Sequence, residues 1–130
     1  MMLSSWRSSF EKVRLELELA KRKKQALDEL LAKNRMSRPT YEHLVKSLNE
    51  NIVEFESHKK TLQQKMSERA EELKNQAELL KMFLATLEMK NIAKEVKSDT
   101  YEKNKQIFEL GLVATENELA EINAALTKMS

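Results

Sequence analysis

The sequence predicts an all-α protein: an elongated antiparallel helical coiled coil of three helices with a long central one. Three observations predict it. The chain of 130 residues holds one Gly and one Pro, and 34% of it is charged. Apolar residues recur at alternating steps of four and three along most of its length. Only the stretch from Asn34 to Pro39 carries strong helix-breaking chemistry. A single coiled-coil domain over 1–130 follows, with helices at about 5–33, 38–94 and 99–128.

The first helix opens on Ser4, Ser5 and Ser8, candidate N-caps whose hydroxyls can accept from first-turn amides. Trp6, Val13, Ala20 and Leu27 form one column of its seam; Phe10, Leu17, Lys24 and Leu31 form the other. Trp6 and Phe10 on a basic helix also fit a membrane interface. They continue the seven-residue repeat without a phase shift, which favours packing inside. Asn34 can end the helix in a left-handed conformation. Ser37 can cap the next helix, and Pro39 suits a first turn, where its missing N–H is not needed. A connection this short makes the flanking helices antiparallel neighbours.

The second helix organises the chain. Tyr41, Leu48, Phe55, Leu62, Arg69, Gln76 and Phe83 form one column of its seam. Val45, Ile52, Lys59, Met66, Leu73, Leu80 and Leu87 form the other. At 1.5 Å per residue, this helix runs roughly 80–90 Å. The polar members Lys59, Arg69 and Gln76 cluster near its centre. Such residues either fix register and partner number or mark a wet, loosely packed junction.

The second break is weaker, because Ala93 to Thr100 contains neither Gly nor Pro. The seam stops there, and Ser98 followed by Asp99 resembles a new N-cap with an acidic first turn. The third helix carries Tyr101, Phe108, Thr115, Ile122 and Met129 in one column and Lys105, Leu112, Leu119 and Leu126 in the other. Gly111 lies inside it, tolerated or allowing a close approach. Thr40-Tyr41-Glu42 recurs as Thr100-Tyr101-Glu102, sixty residues later. The same shift lays Leu48 on Phe108, Ile52 on Leu112, Leu62 on Ile122 and Met66 on Leu126. The two capping serines fall one residue out of register.

The first helix should cover Tyr41 to Met66 and the third Met66 to Leu87, with their far ends meeting near the middle of the second. Flanking residues such as Leu15, Leu19, Leu44, Leu79 and Leu110 widen the stripe beyond two columns. A wide stripe belongs to a bundle of three or four helices. The expectation is a homodimer, a rod four helices thick, with a higher polymer also open.

Chemistry has little to work with, which argues against an enzyme. His43 and His58 lie outside helical metal-pair spacing, Cys is absent, and no phosphate-cradling Gly loop or nucleophile elbow occurs. No catalytic, cofactor-binding or metal residue and no small-molecule substrate is assigned. The net charge is only +2, but residues 1–24 hold seven Lys or Arg against three Glu. Lys21, Arg22, Lys23 and Lys24 form the single basic run, a contact for phosphates or anionic headgroups. The absence of Cys and of any apolar run near ~18–20 residues fits a cytoplasmic protein.

The run Lys21 to Lys24, followed by Gln25-Ala26-Leu27-Asp28-Glu29-Leu30-Leu31 and the Met36-Ser37-Arg38-Pro39-Thr40-Tyr41 turn, resembles the coiled-coil domain of the archaeal cell-division protein CdvA family. The second joint, Ile92-Ala93-Lys94-Glu95-Val96 leading into Thr100-Tyr101, resembles that family's later turn. The resemblance covers about Trp6 to Met129. It implies a scaffold in an ESCRT-related division machinery, with filament formation and association with membrane and DNA at a division site. It also implies recruitment of an ESCRT-III-like protein through a short C-terminal segment, beside a small N-terminal β-domain. This sequence spans the part from the first helix to the third. The coiled coil and its self-association are what the resemblance carries over.

Overall fold

The computed structural model describes residues 5–130, with side chains from Trp6 onwards. Ser4, a candidate cap, lies outside them. Three helices make up the fold: α1 (Ser5–Ala32), α2 (Arg38–Ile92) and α3 (Ser98–Met129). No strand occurs among the described residues. Ser8 is interior to α1, so it caps nothing.

The chain divides into two compact units at Lys65 and Met66. Each is an α-hairpin. In the first, α1 packs on the part of α2 up to Lys65. In the second, α3 packs on the part from Met66 onwards.

The joints of the two hairpins are built alike. Just past the end of α1, Asn34 takes the left-handed region at φ 56, and just past the end of α2, Lys94 does so at φ 62. At the first joint, the N–H of Arg35 donates to the Leu30 carbonyl at 2.9 Å, and that of Asn34 to Leu31 at 3.1 Å. At the second, the N–H of Glu95 donates to Lys90 at 2.8 Å, and that of Lys94 to Asn91 at 3.1 Å. These are the paired bonds of a Schellman ending, which satisfy last-turn carbonyls. The weak break is therefore a full turn. Lys94 supplies the left-handed residue although it is neither Gly nor Asn.

The following helices start differently. Ser37 Oγ accepts from the Thr40 N–H at 3.3 Å, a side-chain N-cap on α2. Ser98 is not the cap of α3. That place belongs to Lys97, extended at φ −73 and ψ 149, with no side-chain bond. The sixty-residue spacing explains the correction, because it lays Lys97 on Ser37 and Ser98 on Arg38. Asp99 Oδ1 accepts from the Thr100 N–H at 2.9 Å and adds negative charge to the first turn.

A tyrosine then locks each hairpin. Tyr41 Oη donates to Asp28 Oδ1 at 2.6 Å, and Tyr101 Oη donates to Glu88 Oε1. Both acceptors lie thirteen residues back, on the helix before the turn. The shared Thr-Tyr-Glu triplet thus has a physical role: its Tyr ties the new helix to the old one.

Candidate functional site

Since both hairpins close within one chain, the seam must be sorted by what it buries. In the first unit, Trp6, Val13 and Ala20 of α1 are buried, and so are Leu48 and Leu62 of α2. Phe10, Leu17, Leu27, Leu31, Tyr41, Ile52 and Phe55 are half-buried. Trp6 is only 9% exposed, so its indole belongs to the core rather than to a membrane-facing surface. The guanidinium of Arg7 lies over its ring at 4.9 Å.

In the second unit, Met66, Leu73, Leu87, Tyr101 and Ile122 are buried, with Met66 and Ile122 at 0% exposure. Leu80, Phe108, Leu112, Leu119 and Leu126 are half-buried. Phe83 is 41% exposed, and its ring rests against Phe108 at 5.6 Å between centroids. Gln76 is exposed as well, while its neighbour Ala77 is buried. Beyond Arg69 one column therefore runs one residue late, through Ala70, Ala77 and Leu84. The signal was in the sequence: Ala70, Ala77 and Leu84 keep the seven-residue spacing just where Arg69 and Gln76 turn polar.

The polar centre contains a built contact that the columns did not foretell. Arg69 donates through Nε and Nη2 to both carboxylate oxygens of Glu118, at 3.2 and 3.1 Å. Glu118 is buried, whereas the Arg69 side chain keeps 29% exposure. The bond to Glu118 holds the guanidinium pKa above its ordinary value against the opposing effect of desolvation. Two-point geometry of this kind fixes position as well as charge. Leu119, read as the seam residue, is half-buried beside it. Among the described residues no buried side-chain nitrogen or oxygen lacks a partner.

Outside the seams lies a second population. Twelve large apolar side chains among the described residues are exposed. Leu15, Leu19, Leu44 and Val53 belong to the first unit. The other eight belong to the second: Leu79, Met82, Phe83, Met89, Ile92, Ile107, Leu110 and Val113. Each hairpin also carries a shallow apolar groove beside its joint. The first, about 360 Å³, runs between Lys23, Leu27, Leu44 and Leu48. The second, about 250 Å³, runs between Phe83, Leu87, Asn104 and Phe108.

Lys21, Arg22 and Lys23 are exposed on α1. Lys24 is half-buried and turned toward Asp28 at 4.0 Å. The structure thus leaves three cations of the run open to solvent. The described residues hold no group of three or more His, Cys, Asp or Glu that could bind a metal ion. No described helix is long and apolar enough to cross a membrane.

Comparison with known proteins adds one match that spans nearly the whole chain. The family model of the CdvA-like coiled-coil domain matches residues 5–130, which takes in all three helices and both joints. No curated protein matches, and no solved structure does.

Proposed function

Because the chain belongs to the CdvA-like coiled-coil family, we propose that it is a scaffold of a CdvA-related division machinery that works by associating with copies of itself. One observation carries the reading. Both hairpin seams are filled from within the chain, yet twelve large apolar side chains of the described residues remain in water. Scattered single apolar residues are ordinary on a surface, but contiguous ones mark a place of contact. A two-helix layer covers one stripe of each helix, and a further layer covers the rest. The mechanism is helix-on-helix packing, with no bond made or broken. Sedimentation equilibrium over a concentration series tests it. The mass should rise above that of one chain in the micromolar range, and a single-chain mass throughout would refute it.

A second reading rests on the exposure of Lys21, Arg22 and Lys23. These cations support a peripheral contact to anionic lipid or DNA through helix α1. Recruitment of an ESCRT-III-like protein and a position at a division site belong to the same proposal. Co-sedimentation with acidic liposomes, and DNA binding at rising salt, should both weaken when residues 21 to 24 are changed to Gln. Binding that survives this change removes the patch from the account.

A further inference from the structure

We propose that Arg69 and Glu118 are positioning residues whose pairing selects the side of α3 that faces α2. A helix with one seven-residue column in a seam can complete it with the column three places on or the one four places on. In α3 the shared column is Tyr101, Phe108, Thr115, Ile122 and Met129. Three places on come Asn104, Gly111, Glu118 and Ala125; four places on come Lys105, Leu112, Leu119 and Leu126. Exchanging one choice for the other turns the helix by about 50°, half the angular step between neighbouring residues.

Apolar burial alone favours the column with three leucines. The structure does otherwise. Toward the joint the two columns share the seam, with Asn104, Lys105, Gly111 and Leu112 all half-buried. From Glu118 onwards the other column takes over. Glu118 and Ala125 are buried, and Leu119 and Leu126 are only half-buried.

The first hairpin makes the opposite choice. Shifting by sixty residues lays Leu44, Asn51 and His58 on Asn104, Gly111 and Glu118, and Val45, Ile52 and Lys59 on Lys105, Leu112 and Leu119. There Leu44, Asn51 and His58 are exposed, while Val45, Ile52 and Lys59 are half-buried. Two hairpins with like joints thus seat the helix after the joint differently, so both seatings are open to this design. The same shift lays Ser9 on Arg69. A serine and a histidine stand in the first hairpin where the second has a guanidinium and a carboxylate.

Other polar contacts of α3 do not account for the difference. Tyr101 lies in the column that both seatings share. The Thr115 hydroxyl donates to the Gly111 carbonyl at 2.7 Å, within α3 itself. Lys81 reaches Glu116 at 3.8 Å, but both side chains are about half exposed and water screens them. Arg69 alone grips a buried carboxylate at two points, and such geometry fixes the turn of a helix about its axis. Desolvation leaves the pair little net stability, so its effect is on which seating wins. The winning seat sets the edge of α3 that the hairpin turns outward, with Leu112, Leu119 and Leu126 along it.

The chain has no cysteine, so single introduced ones report the seating. Ala125→Cys and Leu126→Cys are neighbours on α3, and local opening affects both alike. Their rates of alkylation by iodoacetamide are compared in three backgrounds: wild type, Arg69→Leu/Glu118→Leu and Glu118→Gln. Circular dichroism checks that helicity holds. In the wild-type background Leu126→Cys should react at least about tenfold faster than Ala125→Cys, the ratio a charged hydrogen-bonded pair can hold. In Arg69→Leu/Glu118→Leu the ratio should fall below about threefold or invert. Glu118→Gln keeps the size of the side chain and removes its charge, and should lower the ratio by at least about threefold. Should Arg69→Leu/Glu118→Leu lose helicity, Glu118→Gln decides alone. A ratio that stays at its wild-type value in a folded variant would overturn the proposal. So would a wild type in which Ala125→Cys reacts as fast as Leu126→Cys.

Discussion

Arg69 and Glu118 meet where a pair of leucines would be the ordinary choice. Desolvating two charges offsets much of what their attraction contributes, so the pair is not a strong source of stability. Its worth lies in what happens when one partner goes. Arg69→Ala leaves a buried carboxylate without its guanidinium and should lower stability by about 2–4 kcal/mol. Glu118→Ala should do less, about 1–2 kcal/mol, because Arg69 keeps 29% exposure and water screens it. Arg69→Leu/Glu118→Leu should be nearly neutral. Chemical denaturation of the three variants checks this, and equal losses in all of them would remove the pair from the account.

Gly111 is a simpler case at the same scale. A Cβ built there would meet Leu80 Cδ1 at 3.6 Å, an ordinary van der Waals distance. Gly111→Ala should therefore stabilise the chain by about 0.5–1 kcal/mol through helix propensity alone. A lower melting temperature would mean that the helices need a closer approach than this.

At the scale of the element, the two joints differ in one interchangeable part. Ser37 caps α2, and Lys97 holds the same place before α3 without a side-chain bond. Lys97→Ser should raise thermal stability by about 1 kcal/mol, the usual worth of such a cap. An unchanged melting temperature would show that Asp99 already satisfies that turn.

The tyrosine locks add a pH dependence. Hydrogen bonding to Asp28, then desolvation, holds the Tyr41 pKa above its ordinary value; Glu88, then desolvation, does the same for Tyr101. A raised folded pKa means the protonated phenol is what the fold favours. The stabilisation is therefore complete below the unfolded tyrosine value near 10 and is lost as pH rises through the folded one. Tyr41→Phe/Tyr101→Phe should melt lower than the wild type at pH 8, with the gap closing above about pH 10. A gap independent of pH would mean that the hydroxyl bonds contribute nothing.

These elements also show what the sequence could tell. The helices, the first joint and the repeat of Thr-Tyr-Glu were legible because caps, breaks and seven-residue spacing are local signals. The second turn was fainter, since Lys94 takes a left-handed conformation that Gly or Asn would have announced. Lys97 was missed as the cap because Ser98 looks the part, and only the sixty-residue spacing ranks the two. Glu118 was invisible for another reason. A single chain of letters shows a carboxylate one place off the seam, and nothing local says that an arginine forty-nine residues away will reach it.

At the scale of the whole molecule, the columns read from the sequence fill most of the inside of each hairpin, with Ala70, Ala77 and Leu84 taking over one column of α2 in the second. The large apolar side chains that those seams leave exposed are what the proposed self-association would cover. Each seam thus closes within one chain. Hydrogen exchange, followed peptide by peptide at low and high protein concentration, tests it most directly. The amides of α1 and of α2 up to Leu62 should be equally protected at both concentrations. The amides of α3 and of α2 from Met66 onwards should be protected at both concentrations as well. Protection along α1 and the first half of α2 that appears only at high concentration would contradict it, because the seams would then close between chains.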